Sequence, residues 1–309
     1  MCSDPLQLSP RSETRTRKVS LTDLAGMKRQ GQKIAAVTAY DAPSGRLADL
    51  AGIDCVLVGD SAVMTVFGRE STVSATMDEM LMLTRAVVRG VRRALVIADM
   101  PFGAYQVSDV SAVEHAIRFV KDAGADAVKL EGAGTSTNRL AAIVAAGIPV
   151  VGHLGLTPQS ATLLGGYKAQ GRSAEHARKL CDDAIALERA GCFAIVLEAI
   201  PAAVARHISD AVRVPTIGIG AGASCDGQIL VWHDLLGLSD ERVARFVKRY
   251  AEVGDQIVIA LRNYASDVRT SRFPEDRHTY SMLKPELELF EALNGRLTET
   301  EQEIPTSLR

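Results

Sequence analysis

Two hydropathy patterns alternate along the chain. Short, nearly unbroken apolar runs rich in β-branched residues recur, separated by longer segments whose apolar positions fall three and four residues apart. The short runs are "KIAAVTAY" from Lys33, "CVLVGD" from Cys55, "ALVIADM" from Ala94, "DAVKLEG" from Asp126, "IPVVGHLG" from Ile148, "CFAIVLEAI" from Cys192, "VPTIGIGAG" from Val214 and "ILVWHD" from Ile229. They predict eight strands. The stretches between them, such as "TMDEMLMLTRAVVRGV" and "AEHARKLCDDAIALERAG", predict amphipathic helices, and the second closes on Ala190-Gly191 as a helix C-cap would. Four junctions, "AGIDCVLVG", "AGADAVKLEG", "AAGIPVVGHLG" and "AGCFAIVLEA", repeat one order: helix end, glycine, buried parallel strand.

Strand and helix alternating in this way, with strands apolar almost throughout, predict an α/β fold: a single closed (β/α)8 barrel spanning residues 19–281. An open doubly wound sheet is the alternative. Ahead of the barrel, residues 1–18 form a polar arm expected to be disordered. The last helical pattern of the barrel runs from about Val243 to Ser266, and the extension 282–309 is expected to be partly helical, with helical spacing from Lys284 to Leu297.

Composition narrows the function. The 309 residues are 47% hydrophobic and 5% aromatic with a formal net charge of -2, which argues against disorder and against a basic nucleic-acid surface. An anionic small molecule would need positive charge concentrated locally. No run approaches the roughly 18 apolar residues of a membrane span, and "MCSDPLQLSPRSETRTRK" lacks the apolar core of a signal peptide, so a cytoplasmic location is expected. The five cysteines are odd in number and show no Cys-x-x-Cys spacing, which reads as core filling rather than disulfides or a zinc knuckle.

In a barrel of this kind the C-terminal ends of the strands gather at one mouth, where active sites are built. Asp60, Asp99, Lys129, Glu131, His153 and Glu198 would share that mouth. Four carboxylates at one rim repel one another unless a cation or protons offset them. Asp60 and Asp99 are candidate ligands of Mg²⁺, a hard cation that takes one or two protein carboxylates and keeps room for waters and substrate oxygens; the alternative is a pair of N-caps. Lys129 and Glu131 share a strand face, either inward, where the lysine needs an anion, or outward as a solvated pair. Glu198 follows "AIVL", surroundings apolar enough to make a general base of it, or it is a buried partner for an arginine. His153 either donates to an anion or bonds a loop carbonyl. The run Gly218 to Ser224, "GIGAGAS", resembles the start of a dinucleotide fingerprint, but no second βαβ unit with a suitable acidic residue follows, and it reads better as a tight turn.

The stretches "VTAYDAPSGRLADLAGIDCVLVGDS", "ADMPFGAYQVS", "VKLEG", "VGHLGLTPQS", "GGYKAQGR", "LEAIP" and "IGIGAGASCDGQILVWHD" together resemble the ketopantoate hydroxymethyltransferase family, in order, between Val19 and His278. The resemblance implies a barrel of the phosphoenolpyruvate/pyruvate-like superfamily. It implies transfer of a one-carbon unit from 5,10-methylenetetrahydrofolate to 3-methyl-2-oxobutanoate, giving 2-dehydropantoate for pantothenate synthesis. By motif it places Asp60 and Asp99 on Mg²⁺ with Glu131 at or beside the metal, Ser61, Lys129 and His153 with those aspartates around the keto acid, and Glu198 as proton acceptor. It also implies a homo-oligomer, commonly a decamer. The N-terminal arm and the tail after His278 fall outside the pattern, and "RFPEDRHTY" follows it loosely. Two other functions compete: a lyase of the same barrel type acting on a 2-oxo or 2-hydroxy acid, and a non-catalytic ligand-binding barrel, for which so many strand-end charges would be superfluous.

Overall fold

Eight strands form, each where an apolar run predicts one. They are β1 (Ile34–Thr38), β2 (Cys55–Val58), β3 (Leu95–Asp99), β4 (Ala127–Glu131), β5 (Val150–Gly155), β6 (Ala194–Glu198), β7 (Thr216–Ile219) and β8 (Gly227–Leu230). In this computed structural model, which describes residues 17–239 and 243–302, they close in sequence order into one parallel barrel, with β1 hydrogen-bonded to both β2 and β8. An open sheet is thereby excluded.

Closure divides the apolar residues into two sets. Alternate strand residues, among them Ile34, Leu57, Ile97, Val151, Val196 and Ile229, fill the inside of the barrel. Helix α1 (Leu21–Arg29) adds Leu24 and Met27 to that inner core and so plugs the end where the strands begin. The other strand residues, such as Val56, Val96, Val128 and Ile195, face the surrounding helices and form the larger outer core. Those helices are α2 (Ala42–Leu50), the single-turn α3 (Ala62–Thr65), α4 (Met77–Gly90), α5 (Asp109–Lys121), α6 (Thr135–Ala145), α7 (Ala174–Arg189) and α8 (Ala202–Ala211). Side chains of Asp41, Thr76, Ser108 and Ser173 cap α2, α4, α5 and α7 by accepting an orphan N–H of the first turn. Cys55, Cys181, Cys192 and Cys225 are free and buried, as core filling requires, while Cys2 lies outside the described residues.

The alternation breaks once. No helix stands between β7 and β8; the glycine run from Gly218 supplies a turn instead, with Gly220 and Gly222 both at positive φ. The last strand also begins two residues earlier than the run from Ile229 predicts, because Gly227 pairs with Ile34, where a Cβ would lie 2.5 Å from the Ile34 carbonyl oxygen. Only glycine fits there. "VWHD" is therefore not strand, and the chain turns into α9 (Trp232–Leu236).

Contacts divide the chain into two compact units after Val253, whereas the sequence reading carried the barrel to residue 281. The helix expected from Val243 is α10 (Val253–Arg269), because the Tyr250 N–H donates to the Leu235 carbonyl and holds the preceding residues out of a helix. The second unit contains most of α10, a turn in which the Phe273 ring sits edge-on to Tyr264 at 5.7 Å, and α11 (Lys284–Gln302). Within it Leu261, Tyr264, Leu283 and Phe290 are exposed. Residues 1–16 of the expected polar arm lie outside the described residues. Among the described residues no helix is long and apolar enough to cross a membrane.

The start of α4 offers a test of local stability. Thr76 and Glu79 exchange side-chain and backbone bonds, the Thr76 N–H donating to Glu79 at 2.9 Å, while Arg69 grips the same carboxylate from both oxygens. The Arg69 hydrogen bond and then the Thr76 N–H bring the Glu79 pKa down from 4.5 to about 2. A depressed carboxyl stabilises the fold above its unfolded pKa and loses that contribution as pH falls through the folded value. Glu79→Gln is therefore expected to cost about 1 kcal/mol at neutral pH. In denaturant titrations the gap from wild type should be full above pH 4.5 and close towards pH 2.

Candidate active site

The inward alternation that packs the barrel changes chemistry at the strand ends. Above the apolar layers, the same face of the strands carries Asp99 on β3, Lys129 and Glu131 on β4, His153 on β5 and Glu198 on β6. The strand register then sets neighbours: Asp99 lies opposite Lys129, and Glu131 opposite His153. Lys129 and Glu131 thus point inward together, and the outward solvated pair is excluded. Asp60 follows β2 after Gly59, and its backbone N–H donates to Asp99 Oδ2 at 3.2 Å. Neither aspartate caps a helix, since Ser61 precedes α3 and Ser108 caps α5.

Lys129 is the hub. Its ammonium nitrogen lies 2.7 Å from Asp99 Oδ1, 3.7 Å from Glu131 Oε1 and 3.3 Å from His153 Nδ1. His153 in turn stands between two carboxylates, with Nδ1 3.4 Å from Glu131 and Nε2 3.2 Å from Glu198, the latter approach lying off the line of a hydrogen bond. The partner of Glu198 is thus a histidine, not an arginine. Asp60, Asp99, Lys129, Glu131 and His153 are all buried, whereas Ser61 and Glu198 are half-buried at the cavity.

Sequence reasoning passed over four polar residues that hold this floor together. Gln159, in the turn after β5, donates its side-chain amide to Asp60 Oδ2 at 3.0 Å and to the Met100 carbonyl at 2.9 Å, and its backbone N–H reaches Glu131 Oε2 at 3.0 Å. Tyr105 donates to Gln159 Oε1 at 2.7 Å and accepts the Glu131 N–H. On the other side the Trp232 N–H donates to Thr38, whose hydroxyl donates to Tyr40, which shares a 2.8 Å hydrogen bond with Ser61. The available signal was position: Gln159 lies in the quoted "VGHLGLTPQS", four residues past a strand end.

Burial and repulsion set the protonation tendencies. Burial, then the charges of Asp99 and Glu131, push the Asp60 carboxyl well above the ordinary range, and burial raises Asp99 too against the pull of Lys129. Burial opposes charging Lys129, but Asp99, Glu131 and Asp60 outweigh it and hold the ammonium charged. Burial and Lys129 likewise depress His153, yet its contacts with Glu131 and Glu198 prevail and raise it from 6.5 to about 9. Four carboxylates thus face one lysine and one histidine whose charged form Glu131 and Glu198 favour. The two whose pKa burial and repulsion raise, Asp60 and Asp99, supply the hard oxygens that suit a divalent cation. Among the described residues no three His, Cys, Asp or Glu side chains are grouped closely enough to form a metal cage alone. Above the floor opens a cavity of about 670 Å³ with walls that include Met64, Leu156, Tyr167, Ile219 and Phe246.

A sequence model of ketopantoate hydroxymethyltransferase matches residues 18–276. A 3-methyl-2-oxobutanoate hydroxymethyltransferase of Carboxydothermus hydrogenoformans is 52% identical over 88% of this chain and 98% of its own. The chain belongs to the ketopantoate hydroxymethyltransferase family. A Moorella thermoacetica relative of the same name is 55% identical over 85% of this chain and 98% of its own. Two solved structures share the fold at 17% identity: phosphonopyruvate hydrolase, with a TM-score of 0.55 over 91% of this chain and 98% of its own, and 2,3-dimethylmalate lyase of the PEP mutase/isocitrate lyase superfamily, with 0.54 over 91% and 99%. In this ketopantoate hydroxymethyltransferase family member, then, the closed barrel is the one the strand pattern and the resemblance led one to expect.

One backbone contact fixes the end of β6. Gly155 has φ +98° and lies so close to β6 that an added Cβ would meet the Glu198 carbonyl oxygen at 2.2 Å. Gly155→Ala is therefore expected to push the β6 end away from β5, at a cost of about 3 kcal/mol, and to reduce turnover through displaced Glu198. Thermal unfolding and steady-state rates measured on one preparation check both.

Proposed function

We infer that this chain transfers a one-carbon unit from 5,10-methylenetetrahydrofolate to 3-methyl-2-oxobutanoate, giving 2-dehydropantoate and tetrahydrofolate for pantothenate synthesis. The observation that carries the reading is a near full-length match to a family of that activity, on a barrel whose mouth has a buried, cation-seeking floor.

The roles follow from what each group offers. Asp60 and Asp99 would hold Mg²⁺, with Glu131 beside them, since its oxygens are already engaged by Lys129, His153 and the Gln159 N–H. A bound divalent cation polarises the ketone and offsets charge that develops on its oxygen. Lys129 and the Ser61 hydroxyl offer positive charge and a hydrogen-bond donor to the keto acid, which is how a chain of net charge -2 can bind an anion. Glu198, half-buried and facing the cavity, takes the proton from the carbon next to the ketone as that C–H bond breaks and its electron pair moves into the enolate. His153, 3.2 Å from Glu198, steadies the carboxylate before the transfer. The enolate carbon then attacks the methylene carbon of the donor's iminium form; water's oxygen bonds to that carbon as its C–N bond to the folate breaks, and the nitrogen keeps the electron pair and takes a proton from the water, which frees the hydroxymethyl product and tetrahydrofolate. The cavity is several times larger than a small keto acid, leaving room for part of the folate. Folate dependence separates this reaction from that of a lyase, which would turn over its acid with no one-carbon donor.

A homo-oligomer, with ten chains as the family resemblance implies, and a cytoplasmic location complete the reading. Exposed apolar side chains of the second unit, including Leu261 and Phe290, support self-association. Sedimentation equilibrium checks it; a monomer at micromolar concentration rejects it.

Glu198→Gln keeps the shape of the side chain but cannot accept a proton. Turnover is expected to fall by about 10²–10⁴, with keto-acid binding largely retained. NMR of 3-methyl-2-oxobutanoate in deuterated water, with Mg²⁺ and tetrahydrofolate present, reads the step directly through loss of the C–H signal. Equal exchange rates in wild type and variant would remove Glu198 from the role of base.

A further inference from the structure

Gln159 enters no step above, yet its side chain is fully bonded at the floor of the mouth. It is 4% exposed, and both polar atoms of its carboxamide are engaged. Its orientation is not arbitrary. The Glu131 N–H can only donate, so the Tyr105 oxygen accepts from it and turns its own proton to Gln159 Oε1 at 2.7 Å. The oxygen of the amide is thereby fixed on the tyrosine side and the NH₂ on the other, where its two protons go to Asp60 Oδ2 and the Met100 carbonyl.

We propose that Gln159 is a positioning residue whose carboxamide, set in one sense by Tyr105, holds Asp60 Oδ2 and so presents the second oxygen of that carboxylate to a divalent cation. The inference rests on the reading of Asp60 as a metal ligand. A carboxylate free to rotate presents either oxygen or both, and part of its binding free energy goes into ordering it; a carboxylate already held through one oxygen is ordered beforehand. The same residue separates two like charges, since its backbone N–H holds Glu131 while its side chain holds Asp60. Gln159 thus supplies neutral donors where a lysine or arginine would compete with the cation for the same oxygens.

Mn²⁺ serves as probe, because it shares the oxygen preference and octahedral geometry of Mg²⁺ and its free form is counted by electron paramagnetic resonance. The full chain is titrated as wild type, Gln159→Leu, Tyr105→Phe, the double variant and Asp60→Asn, and thermal unfolding is recorded without metal. Gln159→Leu is expected to weaken Mn²⁺ binding by about 10–100-fold, the usual effect of losing a residue that orients a ligand. Tyr105→Phe should weaken it less, and the double variant should bind no worse than Gln159→Leu, since the hydroxyl acts only through the amide. Asp60→Asn should also lose affinity. Wild-type affinity in Gln159→Leu alongside a loss in Asp60→Asn overturns the proposal while sparing Asp60 as ligand. Wild-type affinity in Asp60→Asn overturns the ligand reading and the proposal with it. Additive losses in the double variant overturn the orienting role of Tyr105. Should Gln159→Leu fail to fold, Tyr105→Phe decides, and wild-type affinity there rejects the arrangement.

Discussion

A charge inside a closed barrel finds little water to screen it, so its stability depends on the few side chains in the same layer. Lys129 occupies that position, with its stem among inward residues and its ammonium against Asp99, Glu131 and His153. The rest of the site follows from this one buried cation. It permits two carboxylates on β3 and β4 to sit at the end of an apolar tube, and those two in turn require a histidine and the backbone N–H groups of Asp60 and Gln159 to engage their remaining oxygens. Lys129, even with His153 charged beside it, still leaves the four carboxylates of the layer short of cations. The deficit is itself a binding property, since a divalent ion with an anionic substrate restores the balance where a monovalent ion would not.

The barrel and the site are therefore one construction. Parallel strands in a closed ring place every second residue inside, and the lower positions on that face are spent on isoleucine, leucine and valine to hold the ring together. The upper inward positions of β3 to β6, which hold Asp99, Lys129, Glu131, His153 and Glu198, are free of that duty. Chemistry accumulates there because packing does not claim it, and the short register offsets between β3, β4, β5 and β6 put acid beside base around the ring.

The fold was legible from the sequence because buried parallel strands announce themselves as unbroken apolar runs, and all eight were found that way. Asp99, Glu131 and Glu198 were equally visible, as anomalies at the ends of such runs. Three features were not. The face to which Lys129 points depends on barrel closure, which no local pattern contains. The start of β8 depends on the close approach of Gly227 to Ile34, a contact nearly two hundred residues apart in the chain. Gln159, Tyr105, Thr38 and Tyr40 lie in turns or on ordinary-looking stretches, and a polar residue there carries no mark until its partners are in place. Periodicity reports burial well, and it reports hydrogen-bond partnership hardly at all.

The row of groups from Trp232 to Ser61 has a sense of direction. It begins at a backbone N–H, which cannot accept, so Thr38 must use its own proton on Tyr40, and the tyrosine proton is then free to pass to Ser61. With the tyrosine as donor, the serine's own proton is not used within the row, and Ser61 lines the cavity. At this point the wall of the mouth is polarised outward, as a helix N-terminus is, but by side chains rather than by a dipole. A ligand oxygen bearing negative charge meets a donor there, whereas an ammonium at the same place would find one of the serine's two lone pairs already taken. A preference for an oxygen over an ammonium can thus begin at a hydroxyl more than twenty residues away in sequence from the tyrosine-threonine pair that orients it.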